Sequence, residues 1–79
     1  MDFNGLCVVV RNEHWRPRAQ MAFPGASVLV PHGMAVGRQF DRIICLYWTP
    51  ETDEDHRWVD EGLKARLGHG CNGNVFYLP

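Results

Sequence analysis

The sequence predicts a small α/β domain in which helices pack on a mainly parallel, four-stranded sheet. Three observations support this fold class: four short apolar segments, two helix-compatible segments between them, and a length of 79 residues that suits a single domain over residues 1–79. The predicted order of elements is β-α-β-β-α-β, and short helices between strands favour parallel crossovers. A ferredoxin-like α+β fold with an antiparallel sheet has the same order and is the alternative.

The first strand and the first helix are predicted in the N-terminal third of the chain. Residues 6–10 read Leu-Cys-Val-Val-Val, and a run so rich in β-branched residues is typical of a buried strand. Pro17 suits the first turn of a helix but not its interior. We therefore expect a short helix over residues 17–22, which the Pro-Gly pair at 24–25 ends.

Two more strands are predicted in the middle of the chain. Residues 26–30 form an apolar run that Pro31 ends, and Gly33 and Gly37 suit the loop that follows. Residues 42–48 contain the run Ile-Ile-Cys-Leu-Tyr-Trp without polar alternation. Such a run is typical of a strand covered on both faces, so we place it at the centre of the sheet.

The second helix is predicted over residues 50–67. Thr49 can cap its start, and the acidic residues that follow favour the positive end of the helix dipole. Thr52, with Asp55 three residues later, resembles a capping box and offers a second possible start. Helical spacing places four side chains on the stripe that should face the sheet: His56, Val59, Leu63 and Leu67. Residues 75–78 form the last predicted strand.

Cysteine content and charge limit the class of protein. Cys7, Cys45 and Cys71 are an odd number without tight spacing, which fits reduced thiols better than a disulfide framework. The first two lie in apolar runs and are expected in the core. Residues 1–48 hold five arginines against three acids, and residues 49–79 hold three basic residues against six acids. This mild polarity is far from the footprint of a dedicated nucleic-acid binder.

The sequence has no signal for a membrane or for export. Its apolar runs are much shorter than the roughly 20 residues of a membrane-spanning helix. No basic region precedes the first apolar residues, as a signal peptide would require. We expect a cytoplasmic protein without a membrane partner.

The sequence contains no complete catalytic or metal-binding motif. His69 and Cys71, together with His32 or His14, lack the paired spacing of zinc ligands. The same Cys71 and His69 lack the orienting group and oxyanion site of a nucleophilic enzyme. The acidic residues of the second helix, Asp55 among them, are expected on its exposed side. We therefore predict a protein that is not an enzyme and has no metal or cofactor.

A segment in the middle of the chain has a recognisable pattern. Residues 28–46 read VLVPHGMAVGRQFDRIICL. They resemble a strand, Gly-Arg loop and strand of phage-encoded P-loop ATPases and helicase-like proteins, where a GR-x-F-D-x-I stretch enters the sheet. This sequence has no Walker A motif, and Tyr47-Trp48-Thr49 replaces the paired acids that hold Mg²⁺. The resemblance implies a sheet architecture and a phage-like origin. A nucleotide-binding remnant is one alternative function.

The predicted binding surface combines a tryptophan with cationic side chains. Its residues are Arg11, His14, Trp15, Arg16, Arg18, Arg38 and Arg42. Trp and Arg are enriched in interface hot spots, and the same pair can stack on bases and neutralise phosphates. Alternatively, Trp15 folds back to cover the end of the sheet.

The leading functional hypothesis follows from this surface and from the missing motifs. A chain of this length is expected to be too small for a pocket of typical ligand volume, which favours a surface over a cleft. We predict a non-enzymatic binding module, an accessory protein of a phage or mobile element that docks onto a larger host protein. Weak nucleic-acid binding through the same arginines is the alternative.

Overall fold

The structure is a computed structural model that describes residues 3–34, 39–67 and 75–78. Four strands form one sheet in the order β2-β1-β3-β4, and all three neighbouring pairs are parallel. The strands are β1 (Leu6–Val10), β2 (Ser27–Leu29), β3 (Arg42–Leu46) and β4 (Val75–Leu78). The parallel sheet confirms the predicted α/β class and excludes the antiparallel ferredoxin-like alternative.

Two helical segments complete the predicted β-α-β-β-α-β order. A 3₁₀ turn, Glu13–Trp15, leads into α1, Arg16–Ala22, with Pro17 in its first turn as predicted. The second segment consists of α2 (Asp53–Arg57), a π-helical stretch (Trp58–Leu63) and a 3₁₀ turn (Lys64–Arg66). Within the described residues, no helix is long and apolar enough to cross a membrane.

The second helix begins at the later of its two possible starts. Thr52 Oγ1 accepts a hydrogen bond from the backbone N–H of Asp55 at 3.0 Å, and Asp55 Oδ2 accepts one from the backbone N–H of Thr52 at 3.2 Å. This reciprocal capping box satisfies two N–H groups that the helix itself leaves free. The expected start at residue 50 is therefore wrong.

The π-helical stretch changes which side chains of the second helix face the sheet. Val59 and Leu63 are buried as predicted, and Leu67 is partly buried. His56, however, is exposed, and Trp58 packs against the core instead. The prediction for His56 is wrong because it extended a period of 3.6 residues through a segment whose turns are wider.

The sheet separates two hydrophobic clusters. The cluster on the α2 face contains Cys7, Val9, Leu29, Phe40, Ile43, Cys45, Val59 and Leu63. The cluster on the α1 face contains Leu6, Val8, Val10, Ala19, Ala26 and Val28. Successive side chains of a strand point to opposite faces, so the five buried residues of β1 show that this strand is covered on both sides.

Strand β3 is an interior strand as predicted, but it is shorter and less covered than its sequence suggests. Tyr47 has a φ of 57°, in the left-handed region, so the extended chain ends at Leu46 and does not continue to residue 48. Ile43 and Cys45 are fully buried on the α2 face, whereas Ile44 and Leu46 on the α1 face are half-buried. The α1 face is therefore incompletely covered at β3.

Candidate binding surfaces

Helix α1 covers only one half of its face of the sheet, because it packs mainly on β1 and β2. In the other half, Ile44 is paired in register with Phe76, and Leu46 is paired with Leu78. Paired residues of neighbouring strands point to the same face. The two side chains on β4 are 45% and 46% exposed. An apolar surface therefore remains open beside α1.

A groove runs along the boundary between α1 and this open surface. At one end lies a cavity of about 150 Å³ with almost entirely apolar walls, to which Trp15, Phe23 and Leu46 contribute. At the other end lies a wider cavity of about 330 Å³, to which Phe3, Phe23 and Ile44 contribute. Phe23 lines both cavities, so they lie next to each other along α1, and we call the two together the α1 groove.

An arginine stacked on an aromatic ring lies at each end of the α1 groove. The guanidinium carbon of Arg18 is 5.6 Å from the centroid of the Trp15 ring, and that of Arg42 is 5.8 Å from the centroid of the Phe76 ring. Both distances are within the range of cation–π contacts. Neither guanidinium forms an ion pair with another described residue.

Trp15 lies at one end of the α1 groove and is half-buried. Its ring packs against the α1-face cluster, and its centroid lies 5.2 Å from that of Tyr47. Trp15 is therefore partly exposed, as a residue of the predicted binding surface should be. The ring also packs on the sheet, as in the alternative interpretation, so it contributes to both packing and surface.

Arg16 is used within the fold. Its guanidinium contacts the Glu13 carboxylate at 3.1 Å and donates to the backbone carbonyl of Val28, in the edge strand β2, at 3.3 Å. The side-chain amide of Gln20 donates in the same way to the carbonyl of Ala26 at 3.1 Å. These side chains occupy carbonyl groups that an approaching strand would need, so they protect the β2 edge.

The other predicted binding residues are spread over the molecule. Arg11 directly follows β1 and lies at the carboxyl end of the sheet, whereas Arg42 begins β3 at the amino end. His14 is exposed in the 3₁₀ turn before α1. Arg38 lies outside the described residues. The structure therefore brings Trp15 and Arg18 together and places Arg11 and Arg42 at opposite ends of the sheet.

A second candidate site lies at the carboxyl ends of the strands. An open cleft of about 610 Å³ is formed there by residues that include Arg11, Tyr47, Trp48, Thr49, Glu51 and Tyr77. We call it the carboxyl-end cleft. Its volume falls within the range of ligand pockets, so the expectation that this chain is too small for such a pocket is wrong.

Asp55 also lines the carboxyl-end cleft and is held by hydrogen bonds. His32 Nε2 lies 2.6 Å from Asp55 Oδ1, and the backbone N–H groups of Glu51 and Thr52 donate to Asp55 Oδ2 at 3.1 and 3.2 Å. The bond from His32, with those from the two N–H groups, lowers the pKa of Asp55 to about 2. Its side chain is 17% exposed, so the prediction of a solvated carboxylate is wrong here.

His32 belongs to a small network that sequence analysis missed. Its ring centroid lies 5.6 Å from that of Trp58, whose indole N–H donates to the carbonyl of Gly33 at 3.1 Å. The capping pattern indicated a partner for Asp55 within its own turn. No local pattern indicates the bond to His32, which is 23 residues away in the chain.

The cysteines and metal candidates complete the description of the polar chemistry. Cys7 and Cys45 are fully buried as predicted, and burial raises the pKa of each thiol to about 12. Among the described residues, no three His, Cys, Asp or Glu side chains are grouped to hold a metal ion. His69 and Cys71 lie outside the described residues, and so does Gly37 of the glycine-bearing loop.

The chain was compared with protein-family models, with curated proteins and with solved structures. No family model, curated protein or solved structure matches it.

Proposed function

We propose that this chain is a non-enzymatic docking module that binds an amphipathic helix of a larger partner protein in the α1 groove. The observation that supports this proposal is the apolar surface left open beside α1, with an arginine at each end. If the phage-like origin implied by residues 28–46 holds, the partner is a host protein.

The dimensions of the open surface suit one helix. Neighbouring strands lie about 4.8 Å apart, and a helix with its side chains is about 10 Å wide. Helix α1 already covers two strands of this face, and the two that remain, β3 and β4, present a surface of similar width. The length of β3 is about 13 Å, which corresponds to about nine residues of helix. A partner helix of two to three turns would fill the space.

The chemistry of the groove indicates which side chains the partner helix should carry. The walls of the smaller cavity are almost entirely apolar and those of the wider one are mostly apolar, so most of the affinity should come from apolar side chains at spacings of three and four residues. Arg18 and Arg42 lie at the two ends without an ion-pair partner among the described residues. Acidic residues at both ends of the helix would pair with these arginines and orient it. Asp41 also lines the Arg42 end, so the partner helix should carry a single acidic residue there and not a cluster of them.

Weak nucleic-acid binding is the less favoured proposal because its arginines are separated. Arg16 is paired with Glu13, and Arg11 and Arg42 lie at opposite ends of the sheet. A strand of nucleic acid would have to cross the edge of the domain to reach both Arg11 and Arg42. The two described pairs that combine an aromatic ring with a positive charge, Trp15 with Arg18 and Phe76 with Arg42, lie at different ends of the α1 groove.

A peptide selection tests the docking proposal. A display library of about 14 randomised residues in a helix-favouring frame is selected against the folded protein. We expect enriched peptides to carry apolar residues at helical spacing with Asp or Glu near both ends. Phe76→Ser should weaken their binding by about tenfold or more, because an interface aromatic would be lost. Met21→Ser is the matched control, since Met21 is 82% exposed on α1 and lies outside the groove.

Three results would contradict the docking proposal. Enriched peptides could show the alternating pattern of an added strand, or the two variants could bind them equally. A single-stranded oligonucleotide could instead bind with an affinity that falls steeply with salt, as expected when phosphate contacts release counterions. That last result would support the nucleic-acid alternative. Circular dichroism of each variant confirms that it remains folded.

A further inference from the structure

We infer that the carboxyl-end cleft is a second binding site, for a small aromatic zwitterion that carries one anionic and one cationic group beside a planar ring. This inference does not depend on the proposed docking function. It rests on the position of the cleft in the sheet and on its backbone conformation. It also rests on the side chains that line the cleft.

The cleft lies where the topology of the sheet opens a crevice. From β1 the chain continues to β2 on one side of the sheet, and from β3 it continues to β4 on the other side. The loops after β1 and β3 therefore turn away from each other. In open parallel sheets, ligands bind outside the carboxyl ends of the strands at this switch point. Arg11, Tyr47 and Trp48, which follow these two strands, line the cleft.

The backbone at the same edge is held in an unusual conformation. Two described non-glycine residues have a positive φ: His32, at 67°, and Tyr47, at 57°. One follows the end of β2 and the other follows the end of β3. Such conformations cost free energy and concentrate at ligand sites. The network of His32, Asp55 and Trp58 holds the first of these residues in place.

Two opposite charges in the cleft have no partner among the described residues. Arg11 and Glu51 are both exposed and both line the cleft, yet they form no ion pair with each other. Asp55 is already engaged by His32 and two backbone N–H groups. A ligand with a carboxylate for Arg11 and an ammonium group for Glu51 would satisfy both charges at once.

The remaining walls favour a planar ring. Tyr47, Trp48 and Tyr77 contribute aromatic surface, and the hydroxyl of Thr49 adds a polar group. The ring of Trp48 is supported from behind by Trp58, at a centroid distance of 5.7 Å with an edge-to-face geometry. Aromatic walls with a few polar groups are typical of sites for small planar ligands.

Three probes test the inference: phenylalanine, and two analogues that each lack one of its charged groups, phenylalaninamide and 3-phenylpropionate. Each is titrated into ¹⁵N-labelled protein while backbone amide shifts are followed. We expect phenylalanine to shift the amides of Arg11, Tyr47 and Trp48. Loss of either charged group should raise the Kd about tenfold, because each removes a charge-assisted hydrogen bond.

Two variants assign the charges to residues. In Arg11→Gln, phenylalanine and its amide should bind with the same Kd, whereas in Glu51→Gln phenylalanine and phenylpropionate should bind equally. Arg57→Gln is the control, because Arg57 is exposed on α2 and does not line the cleft, and it should leave all three Kd values unchanged.

The inference is overturned if phenylalanine at about 10 mM, a concentration far above the Kd of specific ligand sites, shifts none of the three amides. It is equally overturned if the three probes bind alike, or if the shifts centre on Ile44 and Phe76. That last pattern would show a ring in the α1 groove and would leave the docking proposal standing.

Discussion

The two faces of the sheet are built from the same strands but are covered to different degrees. On the α2 face, Cys7, Ile43 and Cys45 are fully buried beneath the second helical segment. On the α1 face, the neighbouring Ile44 and Leu46 are only half-buried. The second segment, with its π-helical stretch, buries Val59 and Leu63, whereas α1 is seven residues long and buries Ala19 alone.

Because of this difference, we expect one face to stabilise the fold and the open half of the other face to bind a partner. Buried apolar groups on the α2 face stabilise the fold, since each removes surface from water in every molecule. The same type of residue on the open half of the α1 face gains that stabilisation only when a partner covers it. We therefore expect substitutions on the α2 face to affect unfolding most and substitutions along the open half of the α1 face to affect binding most.

The largest effect is expected for the reactivity of the buried cysteines. In a Cys71→Ser background, Cys7 and Cys45 should react with a thiol reagent at pH 8 at least ~10³ times more slowly in the folded protein than in denaturant, because reaction requires unfolding. Absorbance after addition of Ellman's reagent measures this rate. Fast labelling of the native protein would mean that the α2 face is not closed.

Stability at alkaline pH provides a second measure of how well the α2 face is buried. Burial raises the pKa of both thiols from 9.0 to about 12. Between these values the unfolded thiols lose their protons while the folded thiols keep them. The contribution of the two protonated thiols to the free energy of unfolding is therefore fully present below pH 9 and is lost as the pH rises towards 12. Urea unfolding across this range should show a falling midpoint, and Cys45→Ala should reduce the slope of the decline.

Truncation of one residue on each face compares them directly. Leu63→Ala should lower the free energy of unfolding by about 2–5 kcal/mol, because Leu63 is fully buried and leaves a cavity. Ile44→Ala should cost only about 1–2 kcal/mol, because its side chain is half-buried and water can replace it. Chemical denaturation of both variants measures the difference. Equal losses of unfolding free energy would contradict the conclusion that half of the α1 face is open.

Loss of the capping box should have a smaller effect. Thr52→Ala removes the acceptor for the N–H of Asp55 and should cost about 1 kcal/mol. Thr49→Ala is the matched control, since it lies outside the box and should change stability little. If Thr49→Ala were the more destabilising variant, the helix would begin at the earlier start. Urea unfolding curves at neutral pH compare the two.

The smallest effect is expected for an exposed ion pair on the second helical segment. Lys64 Nζ lies 3.2 Å from Asp60 Oδ1, one helical turn away, and the two side chains are 42% and 61% exposed. Solvent screens such pairs, so Lys64→Ala should change the free energy of unfolding by less than about 0.5 kcal/mol. A larger loss in the same denaturation assay would show that Lys64 has a further structural role.

The element order and much of the core could be predicted because their signals are local. The run at residues 6–10 coincides with β1, and Cys7 and Cys45 are buried as expected. The capping box at Thr52 was one of two predicted starts and is the one observed. Each of these features depends on residues within a few positions of one another, where spacing and propensity act directly.

Features that join distant parts of the chain could not be predicted in the same way. The pair of His32 and Asp55, the α1 groove and the carboxyl-end cleft all depend on which strands become neighbours. Tyr47 illustrates the limit: its apolar run predicted a longer strand, but the chain turns there with a positive φ. The sequence determined the elements and their buried faces, because hydrophobic periodicity is a local property. Only the tertiary structure decided which half of a face stays open, because this depends on strand order and on where a short helix packs.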